Sequence, residues 1–326
     1  MYEMKHHIVF TTQKRDLKLQ LFESVVVTRS VENLVDTAVI SLPESVMNRV
    51  QHLEEKIERG AQVRMAFGYD VEERKLPVEF VGYVLEVVNT NGHLEIRCED
   101  ALFLFRKSVE NKQFKPAPVK AILQYLIDQV DSSFSLVMDA DYSITYEKFT
   151  IHNAEAYDVL KKIQEELKAN IYFDTEKKEL HFHAPYKETG GEAVYDMSRN
   201  IESSSLEYQQ VRNRKLEVVI QSTSSSGQVL EVSSGTTGGE KVTLKVGAMP
   251  ASDMKKVADM ALVQRNADRY EGDVKGWLNT TCRPAYRVRF KDDDYRNRNG
   301  LYYVTEVITS FSEAGGSRTV KFGIKL

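Results

Sequence analysis

The chain has 326 residues, of which 42% are hydrophobic and 28% charged, and these fractions are typical of a folded protein rather than a disordered one. A chain of this length exceeds one ordinary hydrophobic core, so we expect two or three domains. The formal net charge is -4, from 44 Lys and Arg against 48 Asp and Glu, which gives no overall attraction to nucleic acid or to an acidic membrane surface.

The N-terminal sequence lacks the apolar core of a secretory signal peptide. No run of about 18 apolar residues is present, so we expect no membrane span. The two cysteines, Cys98 and Cys282, lie far apart in alternating apolar stretches, which favours two buried thiols over a disulfide or a zinc site. Folding and assembly in the cytoplasm are therefore expected.

Residues 1–108 are predicted to form a first β domain. Alternating and β-branched stretches, which are typical of half-buried strands, occur at 24–29, 36–42, 62–67, 78–88 and 93–98. A helix is expected between Pro43, which suits a first helical turn, and Gly60, which suits a C-terminal cap. Asn91-Gly92 predicts a tight hairpin turn. Together these elements indicate a small barrel or a closed meander.

Residues 109–192 change to helical periodicity and are predicted to form a small α/β insert. Apolar residues at helix spacing predict helices over 115–131 and 154–170. A strand at 134–138 and a hairpin of strands at 171–174 and 179–184 complete the insert.

Residues 193–326 return to the strand pattern and are predicted to form a second β domain. One long strand is expected at 206–222, and shorter strands at 228–233, 241–246, 286–290, 301–311 and 317–324. An amphipathic helix near 252–270 interrupts the sheet, with Ser252 as its N-cap after Pro250. The predicted fold class is α+β and mainly β, with two small β-barrel-like domains, an intervening α/β insert, and a helix within the second β domain.

Two histidines offer the strongest hint of a metal site. His181 and His183 are two apart in a predicted strand, so their side chains lie on one face, as metal ligands would. No neighbouring Cys, Asp or third His supplies a spacing that completes a site, and a polar strand face is the favoured interpretation. We therefore expect no metal and no cofactor.

Other motifs do not assemble an active site. Ser252 and Lys255 have the spacing of the S-x-x-K string of penicillin-binding enzymes, but the companion motifs are absent. The acidic run 292–294 is more consistent with a solvated turn than with a cation site. Glu165 and Glu166 are neighbours on a polar helix face and cannot converge as an acid and a base. No catalytic residue is predicted.

Several strings, in order along the chain, carry a family resemblance. The first region contains LVDTAVISLPES, RGAQVRMAFGYD, VEFVGYVLEVV and LEIRCEDALFLFRK, the middle AYDVLKKIQEELKANIYFD, and the end GLYYVTEVITSFSEAGGSRTVKFGIKL. Together they resemble the phage tail hub family, also called baseplate hub or late control proteins, to which the hub part of type VI secretion spike proteins is related. The matching positions are Gly60, Gly68, Tyr69, Gly82, Cys98, Glu99, Asp100, Gly300, Tyr302, Gly315 and Gly316.

The resemblance implies a structural protein that works through its surfaces. It implies a homotrimer whose two hub domains per chain form a ring of approximate sixfold symmetry. Such a hub closes the tip of the tail tube and joins the tube protein to the spike and to other baseplate or tail-tip proteins, without catalysis and without nucleic-acid specificity. The implied location is the virion tail, assembled in the bacterial host cytoplasm. Since the chain ends at Leu326, directly after the predicted closing strand, lysozyme-like and spike functions are expected on other chains.

Two alternative functions stay open at this stage. A tail-associated cell-wall hydrolase would place its activity in the insert at 109–192 and would need a carboxylate or metal centre there. A sugar-binding module would place exposed aromatic side chains together on one face. The host, and the choice between contractile tail, non-contractile tail, defective prophage and secretion apparatus, are also open.

Overall fold

The computed structural model of the chain describes residues 3–43, 56–69, 76–90, 93–211, 214–224 and 227–326. Strands dominate this part of the chain, and four helices accompany them. The predicted fold class, α+β and mainly β, is confirmed. Most of the helix predicted between Pro43 and Gly60, and the Asn91-Gly92 turn, lie outside the described residues. No helix in the described ranges combines the length and apolarity that crossing a bilayer requires.

Seven antiparallel strands form the first β domain. Alternation of β-branched and polar residues buries one face of the strands, as at Val25, Val27 and Ile40, which have no exposed surface. The hydrogen-bonded order is β3-β4-β7-β6-β5-β1-β2. The strands are β1 (Met4–Thr11), β2 (Asp16–Leu19), β3 (Ser24–Ser30), β4 (Thr37–Leu42), β5 (Gln62–Tyr69), β6 (Val78–Thr90) and β7 (His93–Glu99).

The insert follows a short helix, α1 (Leu102–Phe105), and packs two longer helices on a three-stranded sheet. The sheet order is β10-β14-β13, and its apolar face, which includes Leu180 and Phe182, shares one core with both helices. A reciprocal capping box between Glu155 and Asp158 starts the second of them. The elements are β8 (Lys112–Phe114), β9 (Ala117–Pro118), α2 (Val119–Val130), β10 (Ser135–Met138), β11 (Thr145–Tyr146), β12 (Phe149–Ile151), α3 (Ala156–Leu167), β13 (Asn170–Asp174) and β14 (Glu179–His183).

The remaining residues form two separate sheets. One sheet, in the order β19-β18-β20, lies under helix α4 and shares the core of the insert, while the other strands continue the large sheet. These elements are β15 (Gly191–Asp196), β16 (Ile201–Ser204), β17 (Glu207–Gln209), β18 (Leu216–Thr223), β19 (Val229–Gly235), β20 (Glu240–Val246), α4 (Ala251–Asn266), β21 (Arg269–Glu271), β22 (Asp273–Trp277), β23 (Tyr286–Lys291), β24 (Gly300–Ser312) and β25 (Gly315–Lys325).

Two sequence predictions in this region are wrong. The expected long strand at 206–222 is two strands in different sheets, since β17 pairs with β21 whereas β18 pairs with β19 and β20. Alternating polarity cannot reveal that the chain leaves one sheet for another. Ser252 is not an N-cap, because α4 begins one residue earlier and Pro250 occupies the cap position without a side-chain bond.

Strand β24 joins the two β domains into one sheet. Its second half, from Glu306 to Ser312, pairs antiparallel with β3, while the same strand also pairs with β23 and β25. The result is a 15-stranded sheet that runs through both β domains. Phe311 of β24 reinforces the junction by stacking on Phe67 of β5, with ring centroids 4.9 Å apart. Backbone hydrogen bonds and a shared core therefore connect the two domains.

Candidate functional site

The predicted family positions fall into two groups that meet where the β domains join. One group lies on β5 to β7 and the other on the hairpin of β24 and β25. The groups touch through Gly316, whose backbone N–H donates a hydrogen bond to the Tyr69 hydroxyl at 3.2 Å. Gly315 has a φ of +126°, a conformation that favours glycine, and this allows the hairpin to turn at that point. Gly68 lies beside Tyr69 on β5 and Gly60 precedes that strand, whereas Gly300 and Tyr302 lie at the start of β24, at the opposite end from the hairpin turn.

A buried ion pair lies at the same junction. Arg318 of β25 and Glu79 of β6 are 2.9 Å apart, and their side chains are only 3% and 5% exposed. Arg318 also donates to the carbonyl of Cys282 at 2.8 Å, and Arg283 donates to the carbonyl of Val78 at 3.0 Å. No sequence spacing indicates the two contacts with Glu79 and Val78, because their partners are more than 200 residues apart. They fix the position of the closing hairpin against the first β domain.

The Cys98-Glu99-Asp100 string lies at the end of β7 and leads into α1. The Glu99 carboxylate accepts two hydrogen bonds from the Arg106 guanidinium, at 2.8 and 2.9 Å. The Asp100 carboxylate accepts from the backbone N–H of Asp36 at 3.0 Å and from the N–H that begins α1 at 2.9 Å. Each polar residue of the string therefore holds a defined backbone or side-chain partner.

Burial perturbs the titratable groups of this region. It raises the pKa of Asp36 to about 6, although the Arg29 guanidinium 3.3 Å away acts in the opposite direction. Burial, together with the neighbouring Asp36 carboxylate, also raises the pKa of Asp100 well above its ordinary value. The thiols of Cys98 and Cys282 are free and buried, as predicted, and burial raises the pKa of both. Such thiols are poor nucleophiles at neutral pH.

Gly82 lies where β6 crosses close to β7. A Cβ atom at this position would come within 2.2 Å of the Glu99 carbonyl oxygen and 2.6 Å of the Phe80 ring. The pairing of β6 with β7 is irregular between Val84 and Glu86, close to this crossing. The family glycine therefore has a steric cause in this structure, namely the close approach of two backbones.

His181 and His183 share one face of β14, as predicted, but that face is buried, with relative exposures of 9% and 5%. His181 Nδ1 and His183 Nε2 are 3.0 Å apart. Glu188 Oε1 lies 3.8 Å from the first of these nitrogens and 3.6 Å from the second. The sequence interpretation of a polar strand face did not identify Glu188 as a third donor beside the two rings. Glu188 lies in the segment after the strand, where a spacing of five residues gives no recognisable motif.

The outer nitrogens of both rings also have partners. His181 Nε2 lies 3.1 Å from a Glu179 carboxylate oxygen, and His183 Nδ1 lies 2.8 Å from an Asp139 carboxylate oxygen. The Tyr172 hydroxyl donates to the second oxygen of Glu188, and the Tyr172 ring stacks on His181 at 4.6 Å between centroids. Burial lowers the pKa of His181 below its ordinary value. This group of side chains, His181, His183, Glu188, Glu179, Asp139 and Tyr172, is called the histidine cluster below.

The other sequence candidates do not converge on one another. Lys255 bonds to the Ser233 carbonyl and to Asp259 rather than to Ser252. Asp292 accepts the backbone N–H groups of the next turn, as expected of a turn residue. Glu166 accepts from the backbone N–H of Gly247 at 3.0 Å. These side chains stabilise the local backbone through hydrogen bonds instead of forming an active site.

The fold is shared with tail proteins. No protein-family model matches the chain, and no curated protein sequence matches it. A tail protein from Neisseria meningitidis MC58 is similar in structure, with a TM-score of 0.67 and 14% identity over 98% of this chain and 96% of that one. The 43 kDa tail protein of prophage MuSo2 from Shewanella oneidensis also gives a TM-score of 0.67 and 14% identity, with 98% of each chain covered.

A secretion protein shares the same fold. The E. coli c3393 protein is a component of the type VI secretion system and is described as structurally similar to bacteriophage T4 tail proteins gp27 and gp5. Its structure matches this chain with a TM-score of 0.60 and 10% identity, over 99% of this chain and 77% of that one. The chain thus has the fold of phage tail proteins and of a related secretion component. This confirms, at the level of the fold, the resemblance predicted from the sequence.

Proposed function

We propose that the chain is the structural hub of a phage tail or of a related injection machine. In this role three copies form a ring that closes the tube tip and joins the tail tube to the spike and baseplate proteins, without catalysis. The observation that carries the proposal is the 15-stranded sheet that unites two β domains in one chain, in a fold shared with tail proteins over almost the whole length. The virion tail is the corresponding location.

The contacts between the two β domains support this role. A chain that joins a tube to a spike keeps the two aligned only if its domains do not rotate against each other. Pairing of β24 with β3, the buried pair of Arg318 and Glu79, and the hydrogen bond from Gly316 to Tyr69 all oppose such rotation. The predicted boundaries, 1–108, 109–192 and 193–326, belong to this proposal, with the insert held to the first β domain by the hydrogen bond from the Ala101 backbone N–H to the Thr175 hydroxyl at 2.9 Å.

The ends of the large sheet suit assembly into a ring. Its path through the described residues ends at β2 on one side and at β16 on the other. Edge strands present unpaired backbone groups and are commonly covered by another chain. A contact between unlike edges of neighbouring copies is heterologous, and it closes into a ring when the rotation divides a full turn evenly.

Three exposed apolar side chains lie on segments close to the β16 edge and are together called the apolar patch below. Trp277 of β22, the strand paired with β16, is 56% exposed, and Val194 and Met197 are 47% and 41% exposed. Asn200 ties these segments together, because its side chain donates to the Val194 carbonyl at 2.8 Å and lies 3.4 Å from the Thr280 hydroxyl. Exposed aromatic residues of this kind are typical anchors of protein interfaces. We assign this patch to the contact between subunits.

Coexpression tests the proposal directly. The chain would be produced with the tube and spike proteins encoded beside it, and the complexes examined by light scattering and negative-stain microscopy. We expect a mass of three copies and ring-shaped particles. A chain that stays monomeric with both partners present would overturn the proposal.

Zymography on cell walls tests the hydrolase alternative. The purified chain should give no cleared zone. Clearing that is lost in both His181→Ala and Glu166→Ala would instead support a hydrolase.

A further inference from the structure

We propose that His181, His183 and Glu188 bind one divalent metal ion of the zinc type. In tetrahedral coordination an ion about 2.0–2.1 Å from its nitrogen and oxygen ligands separates these ligands from one another by about 3.3 Å. The three donor atoms here are 3.0, 3.6 and 3.8 Å apart, so adjustments of about half an ångström complete the coordination. Water is the simplest fourth ligand.

Two neutral imidazoles carry fewer protons than the contacts of the histidine cluster need. Three contacts run in series, from Glu179 to His181, from His181 to His183, and from His183 to Asp139. Each contact needs one proton, whereas two neutral imidazoles supply only two. When the outer contacts hold those protons, His181 Nδ1 and His183 Nε2 face each other as two lone pairs at 3.0 Å, with the Glu188 carboxylate beside them. A cation bound between the three atoms would remove the repulsion between the two lone pairs, because both nitrogens and the carboxylate would coordinate it.

The surroundings match those of a metal centre. Histidine ligands usually donate their outer N–H to a carboxylate, which fixes the tautomer and strengthens the ligand, and here both rings have such a partner. Glu188 is itself oriented by the Tyr172 hydroxyl. Three carboxylates, from residues 139, 179 and 188, surround the rings. Within the described ranges, only one of them pairs with a Lys or Arg, namely Glu179 with Lys177 at 3.9 Å. The local charge therefore favours a bound cation.

The ion would act as a structural clasp on the segment that leads from the insert to the second β domain. Glu188 lies in the segment that leads from β14 of the insert to β15 of that domain, so coordination ties this connection to the sheet. The same region is crossed by a hydrogen bond of 3.3 Å from Asn170 to the Tyr303 hydroxyl, and Tyr186 packs edge-on against Tyr303. Since both histidine rings are buried, the ion would hold structure rather than meet a substrate.

Zinc and cobalt binding to the full chain would test the site. Protein stripped with a chelator and dialysed should take up one equivalent of Zn²⁺. Co²⁺ should give the intense visible bands of a four- or five-coordinate site with nitrogen ligands. At a free zinc concentration of about a hundred times Kd, the Tm should rise by roughly 5 °C.

Matched variants separate this site from adventitious binding. Glu188→Gln keeps the size of the side chain and its contact with Tyr172 but removes the charge, and we expect it and His183→Asn to weaken zinc binding by about 100-fold or more. His152→Gln, an exposed histidine of the same insert, should bind zinc as the wild type does.

Two results would overturn the proposal. One is a wild-type Tm that is the same in zinc and in chelator, together with the absence of an intense cobalt band. This result would mean that a proton rather than a metal lies between the rings. The other is wild-type affinity in both Glu188→Gln and His183→Asn. The wild-type cobalt spectrum decides the matter even where a variant does not fold.

Discussion

Arg318 and Glu79 form an ion pair between the two β domains that is almost completely removed from solvent, with 2.9 Å between Nη2 and Oε1. The pair of Arg214 and Glu240 has the same separation but lies at the surface, with side chains 42% and 58% exposed. Removing one partner of a buried pair leaves an uncompensated charge in a poorly solvated place, whereas water solvates the survivor of an exposed pair. The exposed pair makes three hydrogen bonds and the buried pair one, so the two pairs are matched in separation and differ in burial.

Glu79→Ala should lower the free energy of unfolding by about 3–5 kcal/mol, because Arg318 would remain buried without its counter-charge. Glu240→Ala should leave the stability nearly unchanged, since its partner is solvated. Urea unfolding followed by far-UV circular dichroism measures both. Equal losses in the two variants would show that the buried pair does not stabilise the junction of the β domains.

Gly82→Ala should destabilise the first β domain by about 3 kcal/mol, because the new methyl group would lie 2.2 Å from the Glu99 carbonyl oxygen and force two backbones apart. Gly68→Ala is the control, because the nearest atom to its Cβ would be Pro77 Cδ at 3.5 Å, an ordinary van der Waals contact. Thermal unfolding would compare the two variants with the wild type. If both alanines are tolerated equally, the close crossing of β6 and β7 is not the reason for glycine at position 82.

The strands and helices were largely predictable because their signals are local. Alternation located β3, β4 and the closing strands, and apolar spacing located α2, α3 and α4. Pairing of β24 with β3 was not predictable, since the register joins residues 306–312 to 24–30 and no local pattern encodes a partner so distant. The first strand, β1, was missed because His6 and His7 interrupt the apolar alternation.

The site was predictable only in part. The spacing of His181 and His183 places both rings on one face of a strand, which the structure bears out. Both rings are buried and pack against Tyr172, which strand spacing does not indicate, and the third donor comes from a connecting segment rather than from a strand or helix. Spacing rules describe regular elements, and they do not extend to a ligand supplied by such a segment.

Asp36 should make the stability of the first β domain depend on pH. Burial raises its pKa to about 6 in the folded protein, from 3.8 in an unperturbed chain, despite the nearby Arg29 and alongside the Asp100 carboxyl. The folded state therefore binds more protons than the unfolded state between about pH 4 and pH 6, and stability falls as the pH rises through this window. Two pKa units correspond to about 3 kcal/mol.

The test compares the wild type with Asp36→Asn by denaturant unfolding at pH 4 and at pH 7. Between pH 4 and pH 7, the free energy of unfolding of the variant minus that of the wild type should rise by about 2–3 kcal/mol. The reason is that the variant has no carboxyl to ionise at this position. Asp16→Asn, at an exposed position of β2, should show no such change. A difference between wild type and Asp36→Asn that is the same at both pH values would contradict the prediction.

Trp277→Ser should prevent the association of copies proposed for the hub. The indole is 56% exposed beside the β16 edge, so its loss should destabilise the isolated chain little. An aromatic anchor at the centre of an interface, in contrast, typically contributes 2 kcal/mol or more, about a 30-fold change in affinity.

Tyr295→Ser is the control, because this side chain is 55% exposed in the turn after β23, outside the patch. Analytical ultracentrifugation in the presence of tube and spike proteins would measure assembly, and circular dichroism would verify folding. We expect Tyr295→Ser to assemble as the wild type does and Trp277→Ser to remain unassembled. Normal assembly of both variants would place the subunit contact elsewhere on the surface.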